Sequence, residues 1–218
     1  DNNLSFQEFM VIPFGAPDFA EAMRYGVEIF YALKALFKKQ GLNTAVGDEG
    51  GFAPRLPGHS AVFDVLNEAV SAAGYQPGRE IFYDIDAATD SFYDAGADVY
   101  RLLPEGAALK RDQMIHLYKE WMSRYPLFSI EDPLNQDDFA GWHEFAQAMP
   151  KGALVIGDDL LVTNVERLQT AIAAGSCNTL LVKVNQIGTL FEAIACMALA
   201  KKHDMQLVVS HRSGETCD

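Results

Sequence analysis

The sequence of 218 residues is poor in basic side chains and in cysteine, and each shortage argues against a class of protein. It has 17 Lys and Arg against 30 Asp and Glu, so the formal net charge is −13. Surfaces that bind nucleic acids need an excess of cations to meet the phosphates, and this chain has the opposite balance. The three cysteines are odd in number and lack metal-type spacing, which indicates a reducing compartment rather than a disulfide framework.

Long apolar runs are missing too. No stretch approaches the roughly 20 residues that a helix needs to span a bilayer, and no secretory signal opens the sequence. Hydrophobic residues make up 49% and charged residues 22%, the balance of an ordinary soluble globular protein. We therefore expect a cytoplasmic protein without a membrane span. Because the first residue is Asp1 rather than Met, we also expect a piece of a longer chain.

Short runs rich in Val, Ile and Leu alternate with amphipathic helical patterns. The predicted strands are 4–13, 44–47, 81–86, 127–131, 154–156, 178–183 and 206–210. The predicted helices are 17–41, 60–73, 112–124, 138–148, 164–175 and 189–203, with an irregular segment at 95–110. This alternation predicts parallel βα units, and both an open doubly wound sheet and a closed barrel fit it.

Almost every predicted strand ends in a charged or polar residue. These tips carry Asp48 with Glu49, Asp86, Glu131 with Asp132, Asp158 with Asp159, Lys183, and His211 with Arg212 and Ser213. In a closed barrel all strand C-termini surround one mouth, whereas an open sheet brings together only those near its switch point. A single aspartate at a strand end is more often a cap or a turn former, but that explanation would have to hold at each tip separately. The repetition favours the barrel.

The identities of these tip residues suggest a chemistry. Asp86, Glu131 and Asp158 follow three successive predicted strands and offer hard oxygen ligands. Carboxylates that converge without basic partners repel one another, which predicts a divalent cation, Mg²⁺ or Mn²⁺ rather than zinc. Burial beside a cation lowers the pKa of a lysine, so Lys183 is the candidate general base. The remaining histidines in helices or loops are interpreted as surface or packing residues: His59, His116, His143 and His203.

Six segments resemble the signatures of the enolase (phosphopyruvate hydratase) family, in the family's order. They are Gln7-Glu8-Phe9-Met10, Gly47-Asp48-Glu49-Gly50-Gly51, Ser129-Ile130-Glu131-Asp132-Pro133, Asp158-Asp159-Leu160 with Val162-Thr163-Asn164, the stretch 181–190 and the stretch 210–216. The resemblance covers essentially the whole chain. Sites of this superfamily combine a lysine or histidine base with Mg²⁺, in agreement with the interpretation of the strand tips.

The resemblance implies an α/β fold, namely an enolase-type TIM (βα) barrel that is incomplete at both ends and whose second strand runs antiparallel. Residues 1–218 would form the C-terminal catalytic domain, without the N-terminal domain and the final barrel segment. It further implies Mg²⁺-dependent dehydration of 2-phosphoglycerate to phosphoenolpyruvate, and a homodimer or homo-octamer. The isolated piece is expected to be inactive.

The same resemblance implies a role for each matching residue. Asp86, Glu131 and Asp158 would bind Mg²⁺, Lys183 would accept the C2 proton, and Glu49 would protonate the departing C3 hydroxyl. Glu8 would support Glu49, Gln7 would contact the substrate, Arg212 and Ser213 would hold its phosphate, and His211 would lie beside it; Lys183, Glu131 and Asp158 would also contact substrate. The chain departs from the family at Ser91, where a glutamate is usual, and Asp90 precedes it.

Two other functions stay open from the sequence. A racemase or cycloisomerase of the same superfamily would share the three carboxylates, although the segments 47–51 and 210–216 fit a phosphorylated substrate better. A non-catalytic fragment or interaction protein is the second alternative, because an open barrel exposes strand edges.

Overall fold

The computed structural model describes residues 2–47 and 49–212, so Asp48 and the predicted phosphate ligand Ser213 lie outside the described residues. The strands are β1 (Glu8–Ile12), β2 (Phe82–Asp86), β3 (Tyr93–Asp94), β4 (Val99–Leu102), β5 (Ala107–Leu109), β6 (Leu127–Glu131), β7 (Leu154–Gly157), β8 (Thr179–Val182) and β9 (Gln206–Val209). The helices are α1 (Phe19–Lys39), α2 (His59–Ala72), α3 (Arg111–Arg124), α4 (Phe139–Ala148), α5 (Val165–Ala174), α6 (Val184–Ile187) and α7 (Leu190–Lys202), with a 3₁₀ turn at Thr89–Ser91.

Six strands form one curled sheet in the order β1-β2-β6-β7-β8-β9. In this sheet β2, β6, β7, β8 and β9 run parallel to one another. The first strand, β1, pairs antiparallel with β2 and sets Glu8 opposite Asp86. Helices follow the parallel strands, which is the βα alternation that the sequence predicts. The sheet is an incomplete barrel, and its antiparallel strand agrees with the expectation from the resemblance.

Local signals set several helix ends where the sequence predicts them. The side chain of Asn164 accepts the N–H groups of Glu166 and Arg167 at the start of α5, and Gly175 ends that helix with a φ of +64°. Thr189 likewise accepts the N–H of Glu192 at the start of α7. These side chains satisfy donors that a helix leaves unpaired, and glycine takes the left-handed conformation at little cost.

Two predictions of local structure are wrong. Residues 44–47 form no strand, since only Val46 makes an isolated bridge, to Phe52. The segment 95–110 is not irregular: β3, β4 and β5 build a three-stranded antiparallel sheet. In β4 the buried Tyr100 and Leu102 alternate with the exposed Arg101, but this period-two pattern is only a few residues long and sequence periodicity does not resolve it.

The helix α1 buries only part of its apolar surface. Its buried residues include Ile29 and Phe37, whereas Met23 and Val27 stay 54% and 48% exposed. Apolar residues lie on more than one side of this helix, so their spacing alone does not identify the side that packs. In the described ranges no helix combines the length and the apolar character needed to cross a membrane. The two described cysteines, Cys177 and Cys196, are free thiols.

An aromatic cluster joins α2 and α3 to the sheet. Phe63 is fully buried in α2 and stacks on Tyr125, with ring centroids 4.3 Å apart. Its ring also meets the edges of Phe9 and Trp121 at 5.3 and 5.5 Å. This contact ties the outer helices to β1, the strand that carries Glu8.

We expect Phe63→Ala to lower the free energy of unfolding by about 3–5 kcal/mol, because it removes buried apolar contacts and leaves a cavity. Chemical denaturation monitored by circular dichroism measures the change. Phe191→Ala is the matched control, since that ring is 82% exposed and its loss should cost less than about 0.5 kcal/mol. Equal losses for the two variants would contradict the assignment of Phe63 to the core.

Candidate active site at the strand tips

The C-terminal ends of β2, β6 and β7 place three predicted ligands at one edge of the sheet. Asp86 and Glu131 end neighbouring strands in register, and Asp158 follows β7 directly. Each of the three is only 6% exposed. The antiparallel β1 begins at this edge, so Glu8 also reaches it, opposite Asp86. Parallel pairing therefore gathers the carboxylates that the sequence predicts to meet.

Burial makes negative charge costly at this edge. Desolvation raises the pKa of Glu131 to about 10, and the charges of Asp86 and Asp132 add to the effect. Desolvation raises the pKa of Asp86 to about 7, although the N–H of Ala88 donates to its Oδ1 at 3.0 Å and acts in the opposite direction. Two residues before Asp86, desolvation raises the pKa of Asp84 to about 6, and its buried Oδ1 has no hydrogen-bond partner among the described residues. The edge strongly favours a positive partner.

Lys183 supplies part of that positive charge. It follows β8, and its ammonium donates to Oδ2 of Asp158, while Nε2 of Gln186 donates to Oδ1 of the same carboxylate at 2.9 Å. Desolvation lowers the pKa of Lys183, but the hydrogen bond and the charge of Asp158 outweigh it, so the net pKa is raised. The predicted lowering of the pKa applies to a lysine beside a bound cation, and the carboxylate of Asp158 acts in the opposite direction.

Asp132 has a structural role that its position in the motif does not reveal. It is 3% exposed, and its two oxygens accept the N–H groups of Asp158 and Asp159 at 3.0 and 2.7 Å. Within the described residues, one group of three carboxylates could hold a metal ion: one oxygen from each of Asp132, Asp158 and Asp159 lies within 4.8 Å of the other two. That group shares only Asp158 with the predicted triad of Asp86, Glu131 and Asp158. Asp132 belongs to it because its carboxylate holds the turn after β7.

A second pair of acids lies beside the first group. Desolvation and, next, a hydrogen bond with the side chain of Glu49 raise the pKa of Glu8 to about 8. Two carboxyl groups can share a hydrogen bond only when one of them holds a proton. His211 stands near them, with Nε2 3.9 Å from Oε2 of Glu49. The structure thus brings Glu8, Glu49 and His211 together.

A cleft of about 780 Å³ opens onto this pair. Gln7, Glu8, Glu49 and His211 form its polar part, and apolar residues of α1 such as Ile29 form the opposite wall. Arg212 lies three residues after Val209, the last residue of β9; it follows His211 and is half-buried. The cleft is large enough for a small organic substrate.

Asp90, the residue before Ser91, makes contacts with the loop after β6. Its Oδ2 accepts the N–H of Gln136 at 3.1 Å, and the side-chain amide of Asn135 donates to its Oδ1. This carboxylate therefore ties the turn after β2 to the loop after β6. Asp90 is not part of the group of carboxylates formed by Asp132, Asp158 and Asp159.

Three polar residues at or near the site were not predicted to act there. Asp132 and Gln186 belong to the quoted motifs, but a motif does not say which polar group faces which neighbour. His59 was interpreted as a surface or packing residue in a loop; the structure buries it at the start of α2, where it bonds to Glu105 at 2.9 Å. No sequence signal marks this contact, because 46 positions separate the two residues.

The whole chain, residues 1–218, matches the family model described as "Enolase, C-terminal TIM barrel domain". This chain belongs to the enolase family. It is similar to "Enolase 1" of Methanospirillum hungatei JF-1, with 45% identity over 213 residues, which are 98% of this chain and 50% of that protein. The chain spans about half the length of the curated relative it matches. The resemblance and the barrel fold expected from the sequence are thereby confirmed, and the family implies a divalent metal.

In this enolase-family chain we expect the metal-free protein to lose stability as the pH rises from about 4 to 7. Folded Asp86 keeps its proton up to a pKa of about 7, whereas the unfolded residue releases it near 3.8, so the folded state binds more protons in this window. Denaturation in chelator at several pH values measures the slope. Asp86→Asn should flatten it, because asparagine has no proton to lose.

Asp112→Asn is the matched control, since it removes the same charge from an exposed position in α3. An unchanged slope in Asp86→Asn, or an equal change in Asp112→Asn, would contradict the burial penalty at the strand tips.

Proposed function

We propose that this site dehydrates 2-phosphoglycerate to phosphoenolpyruvate with Mg²⁺, which is the phosphopyruvate hydratase reaction. One observation carries the proposal: a lysine paired with a buried carboxylate, Lys183 with Asp158, lies within electrostatic reach of the Glu8–Glu49 acid pair. Such an elimination needs a base for one carbon and an acid for the leaving group, and these groups come from different strands and a loop. The cytoplasmic location and the homodimer or homo-octamer belong to the same proposal.

Lys183 is the proposed base. It takes the C2 proton of the substrate onto Nζ, the electron pair of the C–H bond becomes the second bond between C2 and C3, and the C3–O bond breaks. A lysine can accept a proton only in its neutral form, and the bond to Asp158 favours the ammonium. Added positive charge at Asp158 would remove that preference and lower the pKa of the lysine.

Glu49 is the proposed acid, with Glu8 as its support. Their shared hydrogen bond requires one proton between them, and the pKa of about 8 at Glu8 keeps that proton bound near neutral pH. Glu49 is the more accessible of the two and faces the cleft, so it can pass a proton to the departing C3 hydroxyl, which leaves as water. The pair is then left without that proton and takes one up from water before the next turnover.

Asp86, Glu131 and Asp158 are the proposed Mg²⁺ ligands. The donor set fits a hard cation: all its atoms are oxygens, all three residues are buried, and neighbouring negative charge adds to the raised pKa values of Asp86 and Glu131. When bound, Mg²⁺ would stabilise the negative charge that develops on the substrate carboxylate as the C2 proton leaves. Glu131, Asp158 and Lys183 would also contact the substrate.

The substrate phosphate and the rest of the molecule are assigned to the residues along the cleft and the end of β9. Arg212 offers a planar fork of donors that matches a phosphate, and we assign Ser213 to the same group. Gln7 and His211 line the cleft beside Glu49 and would hold the substrate against it.

Lys183→Ala should lower kcat by about a thousandfold or more, since a positioned general base contributes on that scale. The measurement is Mg²⁺-dependent formation of phosphoenolpyruvate by the full-length protein, followed by ultraviolet absorbance. Lys151→Ala, at an exposed position, is the matched control and should behave as wild type. Full turnover by Lys183→Ala would refute the base, and a folded, Mg²⁺-binding wild type without turnover would refute the hydratase.

Glu131→Gln should weaken Mg²⁺ binding by about tenfold or more, because it removes an anionic ligand from the cluster. Titration calorimetry with MgCl₂ measures this without substrate. Glu68→Gln removes an exposed carboxylate from α2 and should leave the affinity unchanged. Equal affinities in wild type and Glu131→Gln would show that the ion binds elsewhere.

A further inference from the structure

We propose that His59 is a positioning residue for Gln7 and Glu8, because its ring holds the backbone immediately before them. The role of those two residues in catalysis rests on the proposed function, whereas the hydrogen bond that holds them does not. The described residues before Glu8 belong to no strand, so individual hydrogen bonds rather than a regular ladder hold this segment.

The contact is a buried hydrogen bond from the backbone to the ring. His59 begins α2 and is 1% exposed, and its Nε2 accepts the N–H of Phe6 at 3.2 Å. The ring packs on the rings of Phe6 and Trp121, with centroids 4.6 and 6.1 Å apart. Because water cannot reach Nε2, loss of this acceptor leaves a buried donor unpaired.

Glu105 sets the ring's protonation so that Nε2 can accept. Its Oε1 lies 2.9 Å from Nδ1 of His59 and also accepts the backbone N–H of His59 at 2.8 Å. A carboxylate beside Nδ1 keeps the proton there and leaves the lone pair on Nε2. Burial lowers the pKa of His59, which agrees with a neutral ring. Glu105 lies in the turn between β4 and β5, so the small antiparallel sheet contributes to the site through this bond.

The contact at Phe6 is one of a series of hydrogen bonds that hold the segment before β1. Asn3 exchanges two hydrogen bonds with the backbone of Leu56, at 2.8 and 3.1 Å. Ser5 exchanges two with Leu103, at 2.8 and 3.1 Å. After Phe6, the N–H of Gln7 donates to the carbonyl of Asp86 at 3.1 Å.

Register explains why this contact bears on the acid pair. Glu8 faces Asp86 and reaches Glu49 only in the observed pairing of β1 with β2. Side chains alternate between the faces of a strand, so a shift of one residue would turn Glu8 away from the cleft. The bond at Phe6, two residues before Glu8, opposes such a shift.

The test uses His59→Leu, which removes the acceptor, and His59→Gln, whose side-chain oxygen replaces Nε2. In the substrate-free full-length protein, hydrogen–deuterium exchange of amides 5–9 should speed up in His59→Leu and return toward wild type in His59→Gln. The kcat for 2-phosphoglycerate should fall about tenfold or more in His59→Leu, with rescue by glutamine and with unchanged Mg²⁺ affinity. His116→Leu, at an exposed position in α3, is the matched control.

Wild-type exchange at amides 5–9 in His59→Leu would overturn the proposal. So would a loss of kcat that glutamine does not rescue and that is matched by a loss of Mg²⁺ affinity, because this is the result of a general folding defect. If His59→Leu fails to fold, Glu105→Ala tests the same bond from a partly exposed position and should also speed exchange at Phe6. If the wild-type protein turns over no 2-phosphoglycerate but His59→Leu still speeds exchange at amides 5–9, the result would support the positioning role of His59 and refute only the proposed function.

Discussion

The cost of burying several carboxylates together at one edge of a parallel sheet is the constraint on which the other features of this site depend. Parallel pairing of β2, β6 and β7 places Asp86, Glu131 and Asp158 at the same edge, and each is almost fully buried. Buried anions are stable only when positive charge or hydrogen-bond donors compensate them. The surrounding residues supply both.

The compensation comes from backbone as well as side chains. Asp132 binds two N–H groups of the turn after β7, and Asp158 receives a lysine and a glutamine, each from the segment after β8. The site is therefore held by contacts between successive βα loops rather than within one loop. The same contacts control chemistry, because the charge of Asp158 decides whether Lys183 keeps its proton.

The elements that depart from the regular βα alternation position Glu8 and the residues around it. β1 runs against its neighbour and so starts, rather than ends, at the edge where the parallel strands end, and this puts Glu8 opposite Asp86. The small sheet of β3, β4 and β5 reaches the same region through Glu105 and His59. Elements outside the βα repeat thus position side chains that loops would carry in a barrel made only of βα units.

The sequence by itself determined the strands and helices with strong local signals, the residues at the strand tips and the family. The β6 strand, the Asn164 and Thr189 caps and the tip residue Asp86 could be predicted because each depends on neighbours within a few positions. Only the tertiary structure decided the direction of the pKa shift at Lys183, the role of Asp132 and the burial of His59. These depend on distances between residues 25, 26 and 46 positions apart, and no local pattern specifies such distances.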